Sequence, residues 1–448
     1  MTEYSRRTFL KLSGVAIGGI ILTGCSSGGS TPNGYQFYRL TKTGDTVGSW
    51  SRTMKISEFG GSVHISSNGI VTFDAFDEDQ RHGLFQFDVH FEETPTILQQ
   101  DTIVVTDDIL NDQRKVRDFD AHDVDDQGNV AVVLQPKSSA KEGHFAGGLY
   151  YKQRSQDFVP VLLHGDEMDN GETIFSGQFG DLALCEKNGL LVIGSHLPVA
   201  HGASSGQRLL HLPDPTNIQQ GFNKLIGVED YLSTTEHLIH GLGIVDIGLD
   251  GSFSVSSHVS SEALLGASSI TGESATHHCL ISGRLTSPNE HVLLVAPELL
   301  VATHNGNASY GPRVGADGVV SSKIGGYEGL NREALIVGEQ VIRRTDQKGP
   351  SGEYAASFTP GSVAADGSYY YTQYVETPDG YVSVELLMYD GNNHSTILAS
   401  GDQITNVESL VSDIVFATTT NHVDGNNRVV MLCNFLDNST GLVVGIPV

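Results

Sequence analysis

The chain has 448 residues, with 26 Lys and Arg against 53 Asp and Glu and a formal net charge of −27. That balance argues against nucleic acid and anionic lipid as direct partners, because both need a basic footprint on the protein. Gly supplies 52 residues, which suits a fold made of many tight turns.

Taken in order, the chain begins with Ser5-Arg6-Arg7-Thr8-Phe9-Leu10-Lys11, then an apolar run from Leu12 to Leu22, then Leu22-Thr23-Gly24-Cys25. The apolar run is too short and too Gly-rich for a stable membrane span. The first motif resembles a twin-arginine export signal and the last a lipoprotein signal-peptidase box. The resemblance implies that residues 1–24 are a signal peptide and that Cys25 becomes the lipidated first residue of the mature chain. It also implies export in the folded state and a lipid anchor on the cell envelope as the sole membrane contact. Ser26 after Cys25 resembles the type sorted to an outer membrane. Residues 25–33, including SSGGSTPN, read as a flexible polar tether.

From Gly34 to Val448 a single repeat system runs without a long linker, so these residues are expected to form one domain. Its unit is clearest in AHDVDDQGNVAVVL, Ala121 to Leu134: a strand, a two-residue turn on Gln127-Gly128, and a second strand. Equivalent turns precede IVTFDAF, LLVIGSH, SFSVSSH, VVSSKI, SYYYTQY and NNRVVMLCNF, with glycines at 69, 128, 189, 251, 318, 367 and 425. One Asn-Gly or Asp-Gly turn means little; seven at a near-constant period mean propeller blades. Outer strands follow, as at Gly148–Tyr151 and Phe158–Leu163 in the second unit and Val384–Tyr389 and Thr396–Ala399 in the sixth. The expected fold is therefore all-β: a seven-bladed β-propeller of four-stranded antiparallel blades. The seventh unit lacks a fourth strand, while Phe37-Tyr38-Arg39-Leu40 is a spare fourth strand at the start. Pairing the two closes the ring and removes two exposed edges. The chain resembles bacterial anchored propellers of tandem Asn/Asp-Gly repeats, which implies architecture and surface location but no chemistry.

Candidate site residues lie where connections are longest, on the face carrying the links from second to third strands and from fourth to first strands. His122, His144, His201 and Tyr310 are the candidate catalytic groups. Arg208, Arg313, His277, His278 and His304 are candidate ligand-binding groups. His can act as a base near neutral pH, Tyr can protonate a leaving oxygen, and Arg can clamp a carboxylate. These residue types resemble those of propeller polysaccharide lyases. Two functions follow: a ligand-binding or interaction scaffold, with a polysaccharide or a protein as ligand, or β-elimination on a uronic-acid glycan. Cys185, Cys279 and Cys433 have no zinc spacing, and no metal is assigned. No cofactor can be named; the sequence has no P-loop, no dinucleotide fingerprint and no haem-attachment motif. Asp123, Asp125 and Asp126 resemble a calcium loop in composition but lack its downstream Glu, and read as turn-forming residues. A monomer is expected.

Overall fold

The computed structural model describes residues 34–448 apart from 50–51, 93, 111–113, 137–146, 164–165, 167–172, 175–178, 198–205, 218–220, 229, 232–236, 262–276, 294–308, 316, 326–331, 377–379 and 417–421. The signal segment, the tether and Cys25 lie outside the described residues. The chain is a seven-bladed β-propeller. The first blade comprises Glu58–Ile65, Ile70–Phe76, His82–His90 and Thr96–Val105, each hydrogen-bonded antiparallel to the next. The second comprises Val116–Val124, Val130–Pro136, Gly148–Lys152 and Val159–Leu163. In the third blade the inner edge is split: Thr173–Ile174 and Leu182–Cys185 both pair with Gly189–Leu197. A small extra hairpin, Thr46–Val47 with Met54–Lys55, sits outside the blades.

Ring closure follows the expected route. Tyr35–Lys42 pairs antiparallel with Thr440–Pro447, completing the sheet formed with Val411–Val415 and Val429–Phe435. The strand buries Tyr35, Phe37 and Tyr38. Tyr35 Oη donates to Asn427 O at 2.9 Å and shares a 2.6 Å hydrogen bond with Tyr370 Oη of the neighbouring blade.

The hairpin turns differ from expectation in one respect. In the second blade Asp125 N donates to Asn129 O and Gly128 N donates to Asp125 O. This is a three-residue loop with the Gly left-handed at φ 80°, not a two-residue turn. Only one position then needs positive φ, which is why one Gly per repeat suffices. In the seventh repeat that position is Asn427, at φ 60°, and Gly425 stands two residues earlier in the loop. Asn tolerates the left-handed region through local hydrogen bonding. The Asp carboxylates brace the loops: Asp125 Oδ1 accepts from Gln127 N and Asn129 N, and Asp424 Oδ1 accepts from Asn426 N and Arg428 N. Asp125 is thus a turn-forming residue.

Burial is between blades rather than within them. One apolar cluster joins Phe37, Tyr370, Leu386, Ile414 and Met431 across blades six and seven. Another joins Phe59, Phe73, Phe85 and Phe87 of blade one to Val430 and Leu432 of blade seven. β-branched and aromatic side chains dominate these faces because they pack well on a pleated surface.

Candidate functional site

The inner strands converge on the axis, so residues in the same register from different blades meet there. Side chains alternate along a strand, and residues two apart share a face. The residue five before each left-handed Gly or Asn forms one such layer: His64, Asp123, Leu184, Asp246, Arg313, Ser362 and His422, polar at every position but Leu184. A cavity of about 150 Å³ is lined by the first six of these. Its collar consists of turn residues, among them Ser67, Asp126, Glu186, Leu249, Ala365 and Gly425. The cavity therefore lies at the end of the channel that carries the turns between first and second strands. The candidate site had been expected on the opposite face, where the long connections run.

Each carboxylate in this layer is anchored to the next blade. Asp123 Oδ2 accepts from Leu184 N at 2.8 Å, and Asp246 Oδ2 accepts from Val314 N at 2.7 Å. One layer higher, Asp181 Oδ2 accepts from Val245 N at 3.2 Å in the same sense. Asp246 Oδ1 lies 3.8 Å from Arg313 Nη1, and Asp123 Oδ1 lies 3.6 Å from His64 Nδ1. The second separation is too long for a hydrogen bond, and His64 Nδ1 is buried with no partner. Burial, reinforced by His122, His422 and Arg313, pushes His64 down to about 3, so its imidazole is neutral. Burial, with Asp246 adding repulsion against the Leu184 hydrogen bond, pushes Asp123 up to about 7. Burial also raises Asp246, opposed by Arg313. Desolvation disfavours the charged form of either type of group, hence the opposite signs.

Of the candidate site residues named from sequence, Arg313 lines this cavity, together with Asp123, Asp125, Asp126 and Cys185; Asp123, read from sequence as turn-forming, belongs instead to the inner layer. His122 is buried on the inner strand of blade two, its ring edge-on to Phe119 at 5.9 Å, and close enough to influence His64. Arg208 is elsewhere: its Nη1 donates to Val228 O at 2.9 Å and Gln207 O at 3.2 Å, tying together the outer strands of blade three. Tyr310 stands on the inner strand of blade five, Ser309–Val314, opposite Lys323, and His277 and His278 open the third strand of blade four, His277–Arg284, opposite Val259 and His258. His144, His201 and His304 lie outside the described residues. Cys185, Cys279 and Cys433 are buried free thiols, as packing residues would be. Among the described residues no three His, Cys, Asp or Glu side chains are close enough to share a metal ion. Sequence reasoning missed His64, Asp246, Ser362 and His422. The signal that finds His64, Asp246 and Ser362 is the count of five back from each turn glycine; His422 follows only from the left-handed Asn427.

A second buried ionic cluster joins blades one and two. The His82 ring is stacked between Phe76 and Phe119, at centroid distances of 4.2 and 3.7 Å. Its Nδ1 lies 2.8 Å from Asp118 Oδ1 and its Nε2 2.9 Å from Asp74 Oδ2. Burial alone lowers the pKa of His82, but the hydrogen bonds to the two carboxylates outweigh it and the net direction is up.

No protein-family model matches the chain, and no curated protein is similar to it. Several solved structures are similar in fold at low identity. A Pyrococcus horikoshii acylaminoacyl peptidase matches with 9% identity over 83% of this chain and 49% of its own, TM-score 0.41. A Trypanosoma rangeli sialidase in complex with 2,3-difluorosialic acid matches with 11% identity over 93% of this chain and 59% of its own, TM-score 0.37. An ancestral GH74 enzyme matches with 12% identity over 90% and 50%, TM-score 0.43. The chain thus spans about half the length of these proteins, and likeness at this level bears on none of its chemistry.

Proposed function

We propose that the protein is an exported, lipid-anchored β-propeller that binds a ligand in its axial channel and serves as a binding or interaction scaffold. One observation carries this reading: the channel holds a small cavity whose two innermost carboxylates, Asp123 and Asp246, are each fixed by a backbone N–H of the adjacent blade. Side chains held this way lose little freedom on binding, which favours a pre-formed site. The volume, about 150 Å³, suits a small group and not a glycan chain. The competing reading is β-elimination on a uronic-acid glycan, with His122, His144, His201 and Tyr310 as base and proton donor and the arginines as carboxylate clamps. Incubating the domain of residues 34–448 with uronate polysaccharides, and following absorbance of the unsaturated product, separates the two. The scaffold reading expects no product; steady accumulation of product would replace it with the lyase.

A further inference from the structure

We propose that the axial channel takes an organic cation with several N–H donors, a primary ammonium group, held between Asp123 and His64. The inference rests on the reading of this channel as a ligand site and adds the chemistry of the ligand. Six carboxylates line the cavity, Asp123, Asp125, Asp126, Glu186, Asp246 and Asp424, against the one guanidinium of Arg313 among its lining groups. Asp125 and Asp424 are engaged by their own turns and contribute field more than direct contact. Arg313 faces Asp246, so the two offset each other on one side of the ring.

The second observation is His64. It is 6% exposed, its Nδ1 has no partner, and it lines the same cavity. A buried nitrogen in that position calls for a hydrogen-bond partner from outside the protein. Because burial keeps the imidazole neutral, the ring can present one nitrogen as an acceptor. Asp123 Oδ1, 3.6 Å away, is a second acceptor facing the same gap. A water molecule could bridge two neighbouring acceptors, but the surrounding carboxylates favour a cation that donates at least two hydrogen bonds. An ammonium has three. A hydroxyl has one, a carboxylate is repelled, and the described residues offer no three-ligand set for a metal ion.

The test uses the full-length protein in detergent and isothermal titration with n-butylamine and with Nα-acetyl-lysine amide. Butanol, butyrate, calcium chloride and zinc chloride serve as comparison ligands. Both amines should bind saturably, and Asp123→Asn should weaken them at least about tenfold, as loss of a charge-assisted hydrogen bond does. His64→Gln should also weaken them, which covers the case in which Asp123→Asn does not fold; melting curves establish which variants are folded. Binding of butylamine alone would identify a free amine as the source, and binding of both would admit a lysine side chain. Unchanged amine affinity in both variants would overturn the assignment. If calcium, zinc, butanol or butyrate binds and the amines do not, the ammonium is wrong and the channel still binds a ligand. If nothing binds, both readings fall.

Discussion

Ring closure by Tyr35–Lys42 can be measured by removing it in steps. The strand carries three nearly buried aromatics, Tyr35, Phe37 and Tyr38, exposed by 4%, 3% and 6%. Returning each to water costs about 2–3 kcal/mol, so deletion of residues 35–43 forfeits roughly 6–9 kcal/mol before the lost strand pairing is counted. Whole domains are stable by only about 5–15 kcal/mol. The deletion also bares the edge of Thr440–Pro447, with Val443 and Val444 on it, a template for pairing with other chains. Milder variants grade the effect. Phe37→Ala should cost about 3–5 kcal/mol, as large-to-small core changes do. Tyr35→Phe should cost about 1–2 kcal/mol by stripping a hydrogen bond from Tyr370 and Asn427. Thermal and urea unfolding followed by circular dichroism, with light scattering for aggregation, reads all three. A deletion variant that stays monomeric and melts where the wild type does would refute the closure argument.

Other perturbations address separate features. His82 has a raised folded pKa, so its charge stabilises the fold fully below its ordinary value of 6.5, and this contribution is lost as pH rises through the folded value. The stability difference between wild type and His82→Gln should therefore shrink from mildly acidic to mildly alkaline pH; a constant difference would mean that the imidazole is not charged between Asp74 and Asp118. Gly367→Ala meets open space and pays only for its φ of +85°, about 1–2 kcal/mol. Gly189→Ala has φ +77° and would also set a Cβ 2.2 Å from Leu212 O, so it should melt well below Gly367→Ala; equal melting points would contradict this geometry. Cys25→Ser should move the protein from the membrane fraction to the soluble fraction, and Arg6→Lys with Arg7→Lys should stop export, both read by fractionation and immunoblotting.

Blade count and closure were legible because hairpin turns need a residue at positive φ, and Gly at a regular spacing betrays them. The seventh turn shows the limit of that rule: Asn427 does the work, and Gly425 merely resembles it. Long loops often carry binding residues, and the sequence points to them. The polar layer lies on the inner strands or just past their ends instead, where His64 looks like an ordinary strand residue between Val63 and Ile65, and Ser362 like a loop residue after Gly361. Only the ring brings them within reach of each other, and that juxtaposition has no local signature. Arg313 stands out in the sequence by its charge, but its partner Asp246 stands 67 residues earlier in another blade.

The pairing of Tyr35–Lys42 with Thr440–Pro447 also sets a schedule. The first strand of the domain to leave the ribosome must wait for one about 400 residues later before it has a neighbour. Until then its aromatics are unburied, and blades one to six can assemble but cannot complete their circle. An intermediate of this kind, an open arc with two unsatisfied ends, is a poor traveller through a narrow unfolded-chain channel. A route that accepts only finished domains, the one addressed by the proposed Arg6-Arg7 signal, would leave the waiting to be done in the cytoplasm.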